Sequence, residues 1–462
     1  MDETRMPSPL RVYAPEAGLL LQQILPAAFP PVAGPGDPDL VATEGTAADQ
    51  VLETFFRDRH AGSRERAGIA ALVFYVLRHR RYVEALLRAV WPADTVPDGM
   101  SLALAASVAM QEEATPGEEP FLRALGPLRL LLGLSGDDNR GPPPPLHPAE
   151  RLSLPDWLWQ RLVEQWGAVQ AEQLGAALNQ PASVDLRVNG LRATREQLLA
   201  ALAEAQMAAI PTPCSPVGVR LRQRQSLGTL ACFKQGWFEV QDEGSQLIAP
   251  LLTPQPGETV VDLCAGGGGK TLHLAALMRN RGRIVATDTD ERRLARLGVR
   301  GKRAGVRIIQ TVALRHERDP RLKSLAGRAD AVLVDAPCSG LGTLRRRPEI
   351  KWRLQAAQVE AYHYRQCALL EAGARLTRPG GRLLYATCSL LQRENQAVVE
   401  AFLADNRQFR LQPVPVLPGS MGGTPAGVGP ETPPLDKPLF LSLLPHQTQM
   451  DGFFAALLRR VS

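Results

Sequence analysis

The chain of 462 residues has room for two or three domains at about 150 residues each, and its 45% apolar content supplies sizeable cores and excludes a mainly disordered protein. Formal net charge is +6 and unevenly spread: residues 1–150 carry 13 Lys/Arg against 20 Asp/Glu, a net of −7, and the remainder 40 against 27, a net of +13. The positive field therefore belongs to the C-terminal two-thirds and points to an anionic partner, nucleic acid first.

The first 20 residues lack a basic segment followed by an apolar one, so no secretory signal is expected. Ala48 to Arg57 and Ser63 to Arg88 repeat apolar residues at three and four, the spacing of an amphipathic helix, with the Ser63 hydroxyl placed as N-cap. Ala67 to Leu77, the longest nearly uncharged apolar run, has 11 residues and is too short to cross a membrane. Ala33 to Asp39 and Pro92 to Gly99 read as loops. Gly141 to Pro148 (GPPPPLHP) is a Pro-rich linker, which ends an all-helical N-terminal domain at residue 147.

Pro155 to Leu178 gives two amphipathic helices, Val184 to Val188 alternates as a strand, and Arg195 to Ala205 is helical, so 148–252 is expected as a connecting α+β subdomain. From Thr259 the rhythm changes. Short β-rich runs (Thr259–Leu263, Arg283–Thr287, Val306–Gln310, Ala331–Val334, Arg382–Ala386) alternate with helical stretches (Thr271–Met278, Glu291–Arg303, Ala356–Arg375). That alternation predicts an α/β, doubly wound, Rossmann-like domain over 253–462. Arg407 to Pro413 and Gly452 to Arg460 add strands around a Gly/Pro-rich insertion, Pro415 to Pro434.

Doubly wound sheets bind ligands beyond the carboxyl ends of their strands. The first strand runs into Cys264-Ala265-Gly266-Gly267-Gly268-Gly269-Lys270-Thr271. The glycines let backbone approach a bulky ligand, and the next helix offers N-terminal amides to an anion. Gly269-Lys270-Thr271 also fits the second half of a phosphate loop, but that motif's first glycine falls on Cys264. The second strand ends near Asp288, roughly twenty residues beyond the loop, where a carboxylate accepts hydrogen bonds from ribose hydroxyls. A ribose-bearing cofactor is therefore expected.

Strands four and five run into Asp335-Ala336-Pro337-Cys338-Ser339-Gly340 and Thr387-Cys388-Ser389. A single cysteine is usually a small buried hydrophobe, the reading kept for Cys264 and Cys367. Two cysteines past neighbouring strand ends suit covalent catalysis instead. The six cysteines (Cys214, Cys232, Cys264, Cys338, Cys367, Cys388) contain no CxxC pair, which excludes a disulfide framework, argues against zinc or any other metal, and fits a cytoplasmic protein with reduced thiols. Carbon 5 of cytosine becomes nucleophilic towards a methyl donor once a thiolate has added at carbon 6, and a second thiol or base helps to break the adduct down.

These motifs, together with LPDWLWQRLVEQWG (Leu154–Gly167), LRVNGL (Leu186–Leu191), VQDEGSQL (Val240–Leu247), DAPCSGLGTLRRRPEIKW (Asp335–Trp352), YATCS (Tyr385–Ser389) and DGFFAALLRR (Asp451–Arg460), resemble the RNA cytosine-C5 methyltransferases. The likeness is greatest to the bacterial RsmB/Sun (Fmu) type acting on small-subunit ribosomal RNA. It implies an S-adenosyl-L-methionine-dependent methyltransferase core, with Cys388 as nucleophile and Cys338 assisting breakdown of the adduct. Asp335 would bond the cytosine ring and the cofactor, and Lys270 would lie near the methionine end. Cys264, Ala265, Gly266, Gly267, Gly268 and Gly269 would surround the cofactor, and Asp288 would hold its ribose. Arg64 to Leu87 resembles a NusB-like helical domain, with Arg78, Arg80, Arg81 and Arg88 as a local basic stripe.

Two departures stand out. The family's CAAPGGK loop here has lost its proline to glycine, and Gln310 to Ala313 offers no acid after the third strand; a looser loop and weaker cofactor binding are expected. RNA contacts are expected along Arg279 to Arg328, which holds 15 Lys/Arg against 5 Asp/Glu, and at Arg345, Arg346, Arg347 and Lys351, with Trp352 open to either of two readings, a stacking surface or a buried side chain. The target base must be splayed from any helix to reach a thiol. Alternatives are a catalytically weak RNA-binding or ribosome-assembly protein on the same fold, and a transfer RNA substrate; oligomeric state stays open, with a monomer favoured.

Overall fold

A computed structural model describes residues 11–25, 47–91, 97–112, 118–132, 145–414 and 438–461; the loop at 33–39, most of the Pro-rich linker and the insertion Pro415 to Pro434 lie outside the described residues. The chain forms two compact units, Met1–Gln180 with Leu344–Ala357, and Pro181–Thr343 with Gln358–Ser462.

The first unit is helical: α1 (Ala14–Ile24), α2 (Ala48–Arg59), α3 (Ser63–Val90), α4 (Gly99–Glu112), α5 (Glu118–Leu131), α6 (Pro148–Arg151) and α7 (Asp156–Leu178). Its core forms where the apolar faces of α1, α3 and α4 meet, through Leu20, Ile24, Leu72, Val76 and Ala105. Gly62 caps α3 and its N–H donates to Glu65 Oε2 at 3.3 Å, so Ser63, expected as the cap, is the first helical residue. At His79 the backbone leaves helical geometry (φ −120°, ψ 27°), which frees carbonyls of the preceding turn. The Leu344–Ala357 segment uses them. Its single helical turn, α13 (Ile350–Arg353, numbered in chain order), buries Trp352 in this core; Trp352 Nε1 donates to Leu77 O at 2.6 Å and Lys351 Nζ to Arg78 O at 2.7 Å.

The compact helical unit takes in α6 and α7, up to Gln180: Ser153 Oγ accepts from Tyr82 N at 3.1 Å, and Asn179 Nδ2 donates to Leu152 O at 2.6 Å. Gly167 (φ +76°) breaks α7 into the two stretches expected.

The second unit opens with β1 (Val184–Val188), α8 (Arg195–Glu204), β2 (Ala209–Pro211), β3 (Gly218–Leu221), α9 (Ala231–Lys234), β4 (Phe238–Val240) and α10 (Glu243–Leu251). The strands form an antiparallel sheet ordered β2-β3-β1-β4, with Leu186, Val188, Leu198, Val219 and Phe238 in its core. Then come β5 (Thr259–Asp262), α11 (Gly269–Leu277), β6 (Arg283–Asp288), α12 (Glu291–Ala304), β7 (Ile309–Ala313), β8 (Ala329–Asp335), α14 (Ala356–Leu376), β9 (Thr377–Thr387), α15 (Gln396–Asp405), β10 (Phe409–Gln412), β11 (Leu441–Leu443), α16 (Pro445–Thr448) and β12 (Phe453–Arg460). The second sheet runs β10-β12-β9-β8-β5-β6-β7, with β11 on β12. β7, β6, β5, β8 and β9 are parallel; β10, β11 and β12 pair antiparallel. Val260, Val261, Val332 and Leu333 are buried on both faces, as a parallel sheet covered by helices requires.

The chain winds outward from β5 through β6 to β7, then returns to β8 on the other side of β5. That reversal opens the crevice in which such sheets bind ligands. β7 begins three residues later than expected: Gly305 (φ +74°) and the Val306 N–H bond to Gly301 O (2.9 Å) close α12, and pairing starts at Ile309 opposite Ile284. Gln310 to Ala313 are therefore strand rather than the loop beyond it. Of the acids that follow, Asp319 is buried and already accepts from Arg315 N, Arg321 N and the Arg321 guanidinium.

Candidate active site

Between β5 and α11 the backbone turns through Gly266 (φ +54°) and Gly268 (φ +82°), conformations an L side chain rarely adopts. A Cβ on Gly268 would lie 2.1 Å from Leu297 Cδ1, whereas one on Gly266 would meet only Asp288 Oδ2 at 4.0 Å. The loop thus packs on α12 at Gly268 and presents an open face at Gly266. Asp288 accepts from Gly266 N at 2.7 Å and from Asp290 N at 2.9 Å, while Asp290 caps α12.

The proline-free loop carries hydrogen bonds along its length. Ala265 N donates to Thr287 O (2.8 Å), Gly268 N to Ala265 O (2.9 Å), Arg300 Nη1 to Gly267 O (2.5 Å) and Arg187 Nη1 to Gly269 O (2.5 Å). Arg300 is itself held by Glu239 at 3.0 Å, and Arg187 bonds Gln241 Oε1. Two guanidiniums therefore bond the carbonyls of the glycine run. Arg187 and Gln241 come from the LRVNGL and VQDEGSQL motifs, whose role the motifs alone did not reveal.

Across the reversal, Lys270 Nζ at the start of α11 meets Asp335 Oδ2 at the end of β8, 2.7 Å away, and lies 5.2 Å from the Phe453 ring centroid. Burial alone would lower the Lys270 ammonium, but Asp335 more than reverses this and raises it, so the charge stays. Asp262, fully buried at the end of β5, accepts from Thr271 Oγ1 at 2.7 Å through Oδ2, while its Oδ1 has no hydrogen-bond partner among the described residues. Burial pushes its carboxyl up to about 7.

Cys338 Sγ and Cys388 Sγ stand 3.4 Å apart, one beyond β8 and the other beyond β9. The hydrogen bond to Cys388 comes first, then burial and the negative charges of Cys388 and Glu394, in holding the Cys338 thiol well above its ordinary range. Cys338 thus holds its proton tightly, and either sulfur can donate across the contact. Burial, followed by the charges of Asp288, Asp262 and Asp335, does the same to Cys264, consistent with an inert thiol.

An orphaned carboxylate oxygen, an open glycine face and a carboxylate at the tip of the second strand suit a ligand carrying positive charge and ribose hydroxyls. The family profile of 16S rRNA methyltransferase RsmB/F matches residues 249–459, and its ferredoxin-like domain matches 154–227. A probable ribosomal RNA small subunit methyltransferase B from Synechocystis sp. is 38% identical over 317 residues, 67% of this chain and 68% of the relative. The chain belongs to the RsmB/F methyltransferase family. Its cofactor is S-adenosyl-L-methionine, a sulfonium with a ribose, and the residues just described fit it. A solved methyltransferase homologue from Pyrococcus horikoshii is 29% identical, with a TM-score of 0.58 over 68% of this chain and 97% of its own. PH0851 shares the fold at a TM-score of 0.73 and 24% identity, over 99% of this chain and 100% of its own.

The structure gathers Lys270, Asp335, Cys338, Cys388, Asp288 and the Cys264–Gly269 loop in this RsmB/F core, and it sets the expected RNA contacts elsewhere. Arg345, Arg346, Arg347 and Lys351 lie in the Leu344–Ala357 segment of the helical unit. Lys351 is buried, its ammonium donating to Arg78 O and to Asn179 Oδ1 (2.9 Å), with burial and Arg78 lowering it well below the ordinary lysine range. Arg345 is buried too, its carbonyl accepting from Arg78 Nη2 at 3.4 Å, and Arg347 pairs with Glu349 at 3.3 Å. Lys351 and Arg345 are thus corrected from RNA contacts to packing groups, and of the two readings of Trp352 the buried one holds.

The Arg78–Arg88 stripe is likewise spent inside its unit, with Arg80 on Glu84 (2.6 Å), Arg81 on Asp156 (2.6 Å) and Arg88 on Glu150 (2.5 Å). Arg292, Arg296 and Lys302 on α12 do face solvent. Sequence reasoning passed over Glu394, which is buried behind both cysteines.

Proposed function

We propose that Cys388 is the nucleophile with which this chain methylates carbon 5 of a cytosine in small-subunit ribosomal RNA, and that Cys338 releases the product. The observation that carries this reading is the approach of the two sulfurs to 3.4 Å, beside an ammonium–carboxylate pair at the sheet reversal.

In the resting site the two sulfurs lie within hydrogen-bond reach of one another, with the Lys270 ammonium nearby. The Cys388 thiolate forms a bond to carbon 6 of the cytosine, and the displaced electron pair makes carbon 5 nucleophilic. Asp335, held in place by Lys270, hydrogen-bonds the ring and supports its protonation. S-adenosyl-L-methionine, when bound, would supply the methyl group to carbon 5, its sulfonium leaving as a neutral thioether. For release, a base takes the carbon 5 proton, the electron pair restores the 5,6 double bond, and the sulfur–carbon 6 bond breaks with Cys388 leaving as thiolate.

Cys338 suits the role of base at that stage. Once Cys388 is a neutral thioether, its charge and its hydrogen bond no longer hold the Cys338 proton, and Cys338 ionises more readily. A binding module without turnover has no use for this paired arrangement. The exposed cations of α12, within the basic stretch Arg279 to Arg328, supply the RNA contact in this reading, in the cytoplasm where ribosomal RNA is made.

Cys388→Ala is expected to abolish methyl transfer from labelled cofactor while RNA binding persists; full activity in that variant would sink the mechanism. Cys338→Ala is expected to trap a protein–RNA adduct, seen as a slow band on a denaturing gel. Bisulfite sequencing of ribosomal RNA with and without the protein identifies the cytosine.

A further inference from the structure

Each of the paired cysteines is followed by a serine, and both serines turn away from the site towards one carboxylate. Glu394, fully buried, accepts from Ser339 N at 2.8 Å and from Gln366 Nε2 at 3.1 Å through Oε1. Its Oε2 accepts from Ser339 Oγ at 2.5 Å and from Ser389 Oγ. The two hydroxyls are 3.1 Å apart, and Gln366 Nε2 also donates to Pro337 O at 3.0 Å. Every partner of the Glu394 carboxylate is a donor, so the arrangement calls for the ionised form despite burial, which raises the group.

The two loops depend on this carboxylate unequally. The Cys388 loop has other supports: Asn395 Nδ2 donates to Ser389 O at 3.0 Å, Thr387 Oγ1 to Asn395 Oδ1 at 2.6 Å, and Ser389 N to Thr387 Oγ1 at 3.2 Å. Around Cys338, backbone bonds tie the two ends of the loop to the β9 side (Ala336 N to Ala386 O at 2.9 Å, Gly342 N to Cys388 O at 2.8 Å), but between those ends the backbone N–H and hydroxyl of Ser339 go to Glu394, and the Pro337 carbonyl is held by Gln366, itself bonded to Glu394.

We infer that Glu394 is a positioning residue that clamps the Cys338 loop against the Cys388 loop, fixing Cys338 where it can act on the adduct that Cys388 forms. The inference rests on the cysteine reading above. Loss of the clamp impairs release more than attack, because Cys388 keeps its own supports.

The test is Glu394→Gln, which keeps the side-chain volume but turns an acceptor into a donor facing donors. With RNA and labelled cofactor, the variant is expected to accumulate the denaturation-resistant adduct as Cys338→Ala does. Its kcat should fall roughly tenfold or more, less than the about 10²–10⁴-fold of losing an acid–base group outright because Cys338 is displaced and not removed, with KM for RNA nearly unchanged. A merely structural defect lowers adduct and turnover together, in proportion to the folded fraction; that result, or wild-type turnover without adduct, overturns the inference. Should Glu394→Gln fail to fold, Ser339→Ala must show the same accumulation at a wild-type melting temperature, and its absence overturns the inference equally. Adduct trapped by Cys338→Ala but not by Glu394→Gln removes only the clamp. No adduct from Cys338→Ala removes the cysteine reading itself.

Discussion

Asp262 shows how burial turns one carboxyl into a pH-sensitive element. Its folded-state value near 7 exceeds the ordinary 3.8, so the folded chain holds this proton more tightly than the unfolded chain does. The resulting stabilisation is complete below the unfolded value and is lost as pH rises through about 7. Asp262→Asn removes the titration, so the melting temperature of the wild type should fall more than that of the variant between about pH 5 and about pH 8. Parallel calorimetric scans of the two proteins check this, and equal slopes would show that Asp262 keeps an ordinary carboxylate value. The nearby Lys270 faces the opposite balance. It too is buried, but its carboxylate partner is 2.7 Å away, so it keeps its charge.

At the scale of elements, the break in α3 decides what the Leu344–Ala357 segment is for. A regular helix would have kept the Leu77 and Arg78 carbonyls for itself; the departure at His79 gives them to Trp352 and Lys351. Lys351 is lowered by burial, so its contribution to stability should grow as pH climbs towards the ordinary lysine range, a trend that Lys351→Met abolishes. The same variant should bind RNA with wild-type affinity; denaturant melts at two pH values and a filter-binding titration measure both. The segment also marks the limit of reading the sequence alone. Lys351 and Trp352 follow the Asp335 loop closely along the chain, and that adjacency suggested an RNA surface. Nothing local signals that their acceptors lie on a helix 273 and 275 residues earlier.

The parallel strands were legible because runs such as Val260–Val261 and Ala331–Val334 are apolar on both faces. β7 was misplaced by three residues because Val306 and Ile308 look like strand, although the first closes α12. The cysteines, Lys270, Asp335 and the glycine loop were found from the order of motifs. Arg187, Gln241, Arg300 and Glu394 were not, since their partners are brought close only by the folded sheet.

Over the whole molecule, the charge asymmetry resolves into two kinds of arginine. Arg80, Arg81 and Arg88 of the helical unit are paired with carboxylates, whereas α12 exposes Arg292, Arg296 and Lys302 within a basic stretch. Replacing these three by alanine should weaken RNA binding and flatten the plot of log affinity against log salt by roughly 2, the loss of three single-strand phosphate contacts. Unchanged salt dependence would place the RNA on another surface. The Trp352–Leu77 bond also has a meaning for biosynthesis. With 275 residues between its partners, α3 leaves the ribosome long before the turn that completes it. At about 5–20 residues per second the wait is roughly 14–55 s. The helical unit, translated first, therefore cannot finish its core until the glycine loop and the first of the two paired cysteines have already been made. A nascent chain stalled in that interval offers an unfilled core to proteases and chaperones, and a messenger truncated before Trp352 yields no finished domain.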